Sequence, residues 1–272
     1  MTTLVHLSKD GNFQTRTEAT VVGCNVVDEN EIIGEVVVEL QVDVTSMHPQ
    51  GGGQPTDIGT ITLLCEPHTT AKISKVTLDR SSGIVTHTGV IGLNSFDGKE
   101  PFPLQSKVEV SADAENRQLL SECHSAGHVV DLAMERTGAQ MTPIKGYHFV
   151  QGPYVEYKGS IEAKEREDFL SRLREAFAAI IEEEIELNIE TVTVEEADKL
   201  CNRRAQNFNV KEFIDEGEPN PTVRVVSVGD DITCPCGGTH IKSTGELKRR
   251  SWGVKGLKCK KGVVRVRYGP SE

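Results

Sequence analysis

The segment Val36-Val37-Val38-Glu39-Leu40-Gln41-Val42-Asp43-Val44 predicts a β-strand. Every second residue in it is apolar, and this alternation is typical of a half-buried strand. Residues 58–64 and 73–78 show the same pattern, and the polar residues 79–83 predict a tight turn. Short strands and polar turns without helical periodicity predict a small β-barrel over roughly the first hundred residues.

A different pattern begins near Pro101-Phe102-Pro103, where a domain boundary is predicted. Asp113 can cap a helix that continues to about Met134, and a second helix is predicted after Ser160. The remaining predicted elements are a short helix over residues 194–201 and strands over residues 107–110, 185–189, 223–228 and 263–267. The predicted fold class is therefore α+β, with an amino-terminal small β-barrel in residues 1–105 and an α+β domain in residues 106–272.

The composition favours a soluble intracellular protein, which we expect in the cytoplasm. The amino terminus does not resemble a targeting signal, and no segment approaches the roughly 18 apolar residues of a membrane helix, so no membrane partner is expected. The seven cysteines do not form a disulfide framework for a chain of 272 residues, which favours reduced thiols or metal ligands.

Charge is distributed unevenly along the chain. The 30 lysines and arginines against 41 aspartates and glutamates give a formal net charge of −11, which by itself argues against a dedicated nucleic-acid binder. Residues 242–267 differ, because they contain ten basic residues and one acidic residue, Glu246. This block predicts either a solvated lysine-rich edge or a surface for an anionic partner.

Two pairs of potential metal ligands are each spaced by four residues. His124 and His128 lie on the first predicted helix, where this spacing places both imidazoles on one face. Cys236 and His240 enclose Gly237-Gly238-Thr239 much later in the chain. Histidines with one cysteine suit zinc, and three protein ligands leave a position open for water or substrate. The glutamate of HExxH metalloproteases does not stand between the two histidines, which argues against a protease.

Three motifs together resemble the AlaX family, the free-standing relatives of the alanyl-tRNA synthetase editing domain. Pro49-Gln50-Gly51-Gly52-Gly53-Gln54-Pro55-Thr56-Asp57-Ile58-Gly59 is similar to the glycine-rich motif of that family. His124-Ser125-Ala126-Gly127-His128 is similar to its HxxxH motif, and Cys236-Gly237-Gly238-Thr239-His240 is similar to its CxxxH motif. The motifs occur in family order over most of the chain. The presence of the glycine-rich motif, without a long extension after the basic segment, indicates the medium-length AlaX type.

The resemblance implies an editing enzyme. The implied fold is a translation-factor-like β-barrel followed by a zinc-containing editing domain. The implied activity is hydrolysis, in trans, of the aminoacyl ester of mischarged tRNA(Ala), mainly Ser-tRNA(Ala) and also Gly-tRNA(Ala), by a monomer. Residues 242–267 would then contact the tRNA backbone through salt-sensitive interactions without sequence preference. The departure from the family motif between the two histidines, Ser-Ala-Gly, leaves the amino-acid preference open.

The resemblance also assigns roles to residues. The implied zinc ligands are His124, His128 and Cys236, with His240 as a fourth ligand or an immediate neighbour. Glycines let the backbone approach a substrate closely, and the candidate catalytic or substrate-binding residues are Gly51, Gly52, Gly53, Gln54 and Thr56. Asp57 is expected to stabilise the loop, and His148 is expected to be a core or loop histidine. Zinc can polarise the ester, activate water or hold the substrate amino group, and the sequence leaves these roles open.

Two other functions remain open from the sequence. One is a threonyl-type editing hydrolase that acts on Ser-tRNA(Thr). The other is a non-catalytic RNA-binding protein in which all four ligands enclose a structural zinc ion.

Overall fold

The computed structural model describes residues 1–30, 34–66, 68–93, 100–203 and 221–271. The chain forms two compact units. The first contains Met1–Gly51 and Pro55–Gln118, and the second contains Gly52–Gln54 and Leu119–Glu272. The predicted domains, residues 1–105 and 106–272, were drawn from the change in sequence pattern and stay a prediction.

A closed β-barrel of six strands forms the first unit. The strands are β2 (Arg16–Asn30), β3 (Glu35–Val42), β5 (Gly59–Leu63), β6 (Thr70–Asp79), β7 (Ile84–Gly92) and β8 (Lys107–Ala112). They follow the order β2-β3-β7-β6-β5-β8, and β1 (Thr3–Leu4) forms a separate parallel pair with β4 (Val44–Thr45). The predicted amino-terminal β-barrel is confirmed.

The alternation that begins at Val36 explains how the barrel is filled. Val36, Val38, Leu40 and Val42 are fully buried, and the residues between them are partly exposed. Buried side chains of the other strands complete one apolar core. Because burial of one such side chain contributes roughly 1.5–3 kcal/mol, the period-two pattern contributes substantially to the stability of the barrel.

Asp57 anchors the segment between β4 and β5 within the first unit. Its carboxylate accepts the backbone N–H of His48 at 2.6 Å and the Nε–H of Arg117 at 2.9 Å. Arg117 also donates to the carbonyl oxygen of Ser46 at 2.6 Å, and both members of the ion pair are almost completely buried. A buried charge that keeps its partner avoids a large desolvation penalty, and these contacts support the expected structural role of Asp57.

His87 is a buried titratable group inside the barrel. The hydroxyl of Thr45 accepts the N–H of Met47 and can donate to His87 Nε2, 2.9 Å away. His87 Nδ1 lies 3.2 Å from the carbonyl oxygen of Leu40, so it carries the ring proton. Burial lowers the pKa of His87 to about 4, so the ring is neutral at pH 7.

Helix α1 (Ala114–Arg136) is the central element of the second unit, which contains it from Leu119 onwards. Asp113 Oδ1 accepts the N–H of Asn116 at 2.8 Å and provides the predicted cap. Every residue from 120 to 130 is buried. Because several of these residues are polar, the surrounding elements must provide hydrogen-bond partners for them.

Two antiparallel sheets, two further α-helices and the 3-10 helices Ala163–Glu165 and Thr244–Arg250 also belong to the described part of the second unit. The four-stranded sheet has the order β14-β15-β10-β9, with β9 (Thr142–Tyr147), β10 (Tyr154–Lys158), β14 (Gly253–Lys260) and β15 (Val263–Gly269). The three-stranded sheet has the order β11-β12-β13, with β11 (Leu187–Thr193), β12 (Thr222–Val228) and β13 (Ile232–Pro235). The two α-helices are α2 (Arg166–Glu182) and α3 (Val194–Cys201). The predicted α+β character is confirmed.

One large apolar core joins α1, α2 and both sheets of the second unit. Phe169, Leu173, Phe177 and Ile180 recur at helical spacing on α2 and are buried in this core. Among the helices of the described residues, none is both long enough and apolar enough to cross a membrane.

We expect His87 to make the barrel less stable as the pH falls from about 6.5 to about 4. Over this interval the unfolded chain binds a proton at His87 and the folded barrel does not, so acid favours unfolding; above pH 6.5 the site contributes no pH dependence. The difference between a pKa of 6.5 in the unfolded chain and one of about 4 in the folded barrel corresponds to about 3 kcal/mol in the free energy of unfolding.

Urea unfolding at pH 7 and at pH 4.5 measures this contribution. His87→Gln removes the titrating ring and should flatten the pH dependence of the unfolding midpoint. The matched control His68→Gln changes a histidine whose side chain is 56% exposed. It should keep the pH dependence of the unfolding midpoint seen in the native protein. An unchanged slope in His87→Gln would show that His87 does not control acid stability.

Candidate metal centre

Four potential metal ligands converge in the second unit. One ligand atom from each of His124, His128, Cys236 and His240 lies within 4.8 Å of the others. Cys236 Sγ is 3.4 Å from His124 Nε2 and 3.3 Å from His240 Nε2. A nitrogen and a sulfur that bind one zinc ion at the tetrahedral angle lie about 3.5 Å apart. The observed spacing therefore suits an ion of this size.

A helix face and a strand end position these ligands. His124 and His128 are one turn apart on α1, and their stacked ring centroids are 5.3 Å apart. Cys236 directly follows β13, and its N–H donates to the carbonyl oxygen of Arg224 on β12 at 3.1 Å. The Arg224 guanidinium in turn donates to the Cys236 carbonyl oxygen. The β-ladder therefore fixes the backbone at Cys236, and the turn over residues 237–239 brings His240 back to it.

A buried amide fixes the ring of His124. Gln54 Oε1 accepts the backbone N–H of Thr239 at 3.0 Å, and Gln54 Nε2 donates to Thr239 Oγ1 at 2.9 Å, so the amide has only one satisfactory orientation. His124 Nδ1 lies 2.8 Å from the same Oε1 and must carry the ring proton. The lone pair of His124 is therefore on Nε2, the atom that faces Cys236.

The other two histidines also have an outer partner at Nδ1. His240 Nδ1 lies 3.2 Å from Ser125 Oγ. His128 Nδ1 lies 3.3 Å from Cys234 Sγ and 3.9 Å from a carboxylate oxygen of Asp131. Outer contacts of this kind are typical of metal-binding histidines, because they fix the ring orientation and leave the other nitrogen for the metal.

His128 provides the observation that tests whether a metal ion fits. Its Nε2 is buried and has no hydrogen-bond partner among the residues that the structure describes. An unsatisfied buried polar atom costs about 1–3 kcal/mol and is rare in native proteins. A metal ion would satisfy this atom, and a donor set of three imidazoles and one thiolate is suited to zinc.

Burial determines the protonation of the ligands. Burial, assisted by the charge of Arg224, lowers the pKa of His128 to about 4, so the imidazole is neutral at pH 7. Burial raises the pKa of Cys236, although Arg224 opposes this shift. The thiol of Cys236 therefore needs a further positive partner to ionise, and a divalent cation provides one.

Two glycines are required by close contacts around His124. Gly53 has a φ of +79°, and a Cβ there would lie 2.6 Å from the carbonyl oxygen of Gly146. A Cβ at Gly238 would overlap the His124 ring and lie 2.7 Å from Gln54 Oε1. A side chain at either position would therefore displace the groups that orient His124.

His148 forms part of the wall of the site. Its ring stacks on His124 with a centroid separation of 4.2 Å. The hydroxyl of Tyr268 donates to the carbonyl oxygen of Cys123 at 3.1 Å and accepts from His148 Nδ1 at 2.6 Å. A Cβ at Gly127 would lie 2.5 Å from His148 Cε1, so the glycine of the HxxxH motif makes room for this ring. Burial lowers the pKa of His148 to about 3, and the ring is neutral.

The other predicted site residues lie in different surroundings. Gln54 is completely buried and uses both ends of its amide in the contacts described above. Thr56 belongs to the first unit, where its hydroxyl donates to the carbonyl oxygen of Asp57 at 3.0 Å and accepts the N–H of Val76 at 2.7 Å. The substrate contacts that the sequence predicts for Gly51, Gly52, Gly53, Gln54 and Thr56 stay predictions.

Sequence reasoning missed the residues that orient the ligands. Ser121 donates to Thr239 Oγ1 at 2.8 Å, and Ser125 contacts His240. The serines could have been found from their spacing, because Ser121, His124, Ser125 and His128 follow the i, i+3, i+4, i+7 pattern of one helix face. The sequence contains no local signal for Thr239, whose partner Gln54 is 185 residues away.

Comparisons with known proteins agree with this site. The family model described as "Threonyl and Alanyl tRNA synthetase second additional domain" matches residues 223–267, which include Cys236 and His240. The alanyl-tRNA editing protein AlaX-M of Methanosarcina mazei is 29% identical over 214 residues, which cover 77% of this chain and 78% of that protein. AlaX-M of Methanosarcina acetivorans is 29% identical over 230 residues, which cover 81% of this chain and 85% of that protein. The chain is therefore similar to two AlaX-M proteins over most of their length.

Longer proteins match the same region. Alanine–tRNA ligase 1 of Lachnoclostridium phytofermentans is 28% identical over 253 residues, which cover 89% of this chain but 24% of the ligase. The chain therefore spans about a quarter of the length of that ligase and most of the length of the two AlaX-M proteins. The AlaX resemblance drawn from the three sequence motifs is confirmed.

We expect Gln54→Ala to weaken zinc binding by about 10- to 100-fold, the range typical for loss of a group that orients a metal ligand. Without Oε1, His124 Nδ1 and the N–H of Thr239 lose their common acceptor, and the ring is no longer held with Nε2 towards Cys236. Competition with a chromophoric chelator measures the affinity. Gln50→Ala, an exposed position in the same glycine-rich motif, is the matched control and should bind zinc normally. Native affinity in Gln54→Ala would exclude the positioning role.

Proposed function

We propose that this protein, which is similar to the AlaX-M editing proteins, hydrolyses the ester that joins a wrongly attached amino acid to tRNA(Ala). We further propose that it acts in trans and as a monomer, on Ser-tRNA(Ala) as its main substrate and on Gly-tRNA(Ala) as a second substrate. The observation that carries the proposal is the convergence of His124, His128, Cys236 and His240 in a chain that aligns with most of two proteins named alanyl-tRNA editing protein.

Zinc is the proposed metal. His124, His128 and Cys236 would hold it, with His240 as the fourth ligand or a close neighbour. A zinc ion in this position supplies Lewis-acid chemistry: it can polarise an ester carbonyl, lower the pKa of a water molecule to about 7 or bind a substrate amino group. Catalysis needs a coordination position for substrate or water, whereas a structural site is closed by four protein ligands.

The side chains of the protein prepare this site before a substrate binds. Gln54 keeps the proton of His124 on Nδ1, and Ser125 and Cys234 contact the outer nitrogens of the other two rings. All three histidines are buried, so their surroundings exclude most water. Oriented polar groups in such surroundings stabilise a developing negative charge more strongly than the same groups in water.

Selection of serine requires a polar group that alanine leaves unpaired. Such a group gives a preference of about 1–3 kcal/mol, because it loses its hydrogen bond when the wrong amino acid binds. Gln54 Nε2 carries two hydrogens, and the one donated to Thr239 leaves the second as a candidate donor to the serine hydroxyl. Thr56 is the second candidate, proposed from its place in the glycine-rich motif.

Hydrolysis of Ser-tRNA(Ala), Gly-tRNA(Ala) and Ala-tRNA(Ala) by the purified protein tests the proposal. We expect the seryl ester to be cleaved about 5- to 150-fold faster than the alanyl ester, the factor that corresponds to the cost of about 1–3 kcal/mol for one unpaired polar group. His128→Ala should lose zinc and activity together, whereas His68→Ala, a change of an exposed histidine of the barrel, should keep both.

The same assay separates the alternatives. Faster cleavage of Ser-tRNA(Thr) than of Ser-tRNA(Ala) would indicate a threonyl-type editing enzyme, a result compatible with a family model that covers both synthetases. Stoichiometric zinc without cleavage of any ester would indicate a structural metal in an RNA-binding protein. Elution of the active protein at the mass of one chain would support the proposed monomer.

A further inference from the structure

The outward face of the sheet β14-β15-β10-β9 is strongly basic. Val155, Tyr157, Val264 and Val266 are buried in the core, so the residues that alternate with them on β10 and β15 lie on the opposite face. The four strands together contain one acidic residue, Glu156, and seven basic residues: Lys145, Lys158, Lys255, Lys258, Lys260, Arg265 and Arg267. This local charge is opposite in sign to the net charge of the chain.

Part of this face is a concavity suited to phosphate. It is lined by Glu156, Lys258, Lys260, Lys261, Val263 and Arg265. Arg265 donates to Glu156 at 2.6 and 2.8 Å and neutralises the carboxylate. The lysines therefore give the concavity a net positive charge, which favours a polyanion.

A stack of flat side chains runs across the same sheet. The ring centroids of Phe149 and Tyr147 are 4.6 Å apart, and those of Tyr147 and Tyr154 are 5.1 Å apart, with interplanar angles of 14° and 18°. The guanidinium carbon of Arg265 lies 4.1 Å from the Tyr154 centroid. Phe149 and Arg265 are therefore the two ends of a stack in which all four groups are partly exposed.

This stack begins beside the metal centre. Tyr147 and Phe149 are the chain neighbours of His148, and the ring of His148 lies against His124. His148 is buried, whereas both neighbouring rings are partly exposed. A ligand that stacks on Phe149 would therefore lie one residue along the chain from the wall of the site.

We infer that this aromatic and basic face binds the unpaired 3′-terminal nucleotides of the tRNA and holds them next to the metal centre. The inference rests on the proposed function, because the aminoacyl ester is carried on the terminal ribose. Bases extend the stack at Phe149 and Arg265, and the lysines of β14 contact the phosphates.

The stack favours unpaired nucleotides over a double helix. Bases in a duplex already stack on their neighbours, so only unpaired bases present free faces to an aromatic ring. The planar guanidinium of arginine also stacks on bases, whereas the ammonium group of lysine is a compact point charge. A surface that contains only lysines would bind both forms of RNA through their phosphates, whereas this one also recognises a free strand.

Binding of two uncharged RNA hairpins tests the inference. Both have the acceptor-stem sequence of tRNA(Ala); one ends bluntly and the other carries the unpaired 3′ nucleotides. The native protein should bind the tailed hairpin more tightly. Phe149→Leu keeps an apolar side chain without an aromatic face, and we expect it to reduce that preference about five-fold or more, the effect of losing one base stack. Phe149→Tyr, the matched control, should keep the preference, and binding of the blunt hairpin should be unchanged in both variants.

Equal binding of the two hairpins by the native protein, or a full preference in Phe149→Leu, would overturn the inference. A double variant, Lys258→Gln with Lys260→Gln, provides a test that does not depend on Phe149. It should make binding of the tailed hairpin less dependent on salt, whereas the control, Lys9→Gln with Lys164→Gln, which removes two charges at other exposed positions, should not. An unchanged salt dependence in the double variant would equally contradict the inference. Because neither RNA carries an ester, absence of Ser-tRNA(Ala) hydrolysis would refute the proposed function without changing these results.

Discussion

The architecture of the second unit depends on the burial of polar side chains on helix α1. Residues 120–130 are all buried, and this stretch includes Ser121, Glu122, His124, Ser125 and His128. Polar groups in such a position destabilise the fold unless each finds a partner. Glu122 accepts from Arg250 Nη1 at 2.5 Å and from Trp252 Nε1 at 2.9 Å, so the turn before β14 must reach the helix. The glycine-rich loop and the CxxxH loop are held to the helix for the same reason, through Gln54 and Thr239.

These contacts form a network rather than a set of separate bonds. Thr239 binds Gln54 and Ser121, and Gln54 binds His124. Loss of the Gln54 amide removes the common acceptor of His124 and of the Thr239 N–H, and loss of the Thr239 hydroxyl removes a partner of both Gln54 and Ser121. The effects of single substitutions within the network should therefore not be additive. The orientation of the histidine lone pairs is thus set by hydrogen-bond contacts within the protein itself. A metal ion that binds these ligands would meet donor atoms that are already oriented, and outer contacts of this kind increase metal affinity.

Local patterns explain which parts could be predicted from the sequence. The alternation that begins at Val36 is contained in nine residues, and the spacing of His124 and His128 is contained in one helical turn. Both patterns could therefore be recognised in the sequence. Strand β10 was not predicted because both of its faces contain large apolar side chains. Tyr154 lies on the outer face, whereas Val155 and Tyr157 lie on the inner face, so apolar and polar residues do not alternate along the sequence. The partners of the ligands were inaccessible for another reason: Gln54 and Thr239 meet only through tertiary folding.

The backbone over residues 146–149 connects the aromatic stack to the metal centre. The N–H of His148 donates to the carbonyl oxygen of Gly53 at 2.8 Å, next to Gln54 in the chain, and the His148 ring stacks on His124. The buried ring of His148 lies between two residues whose rings are partly exposed, so one short segment contributes to both the interior site and the surface. The hydrogen bond and the ring contact of His148 order this segment in the folded protein. When a flexible RNA end binds, the entropy cost falls mainly on the RNA, and stacking against an ordered aromatic surface is an efficient way to offset that cost.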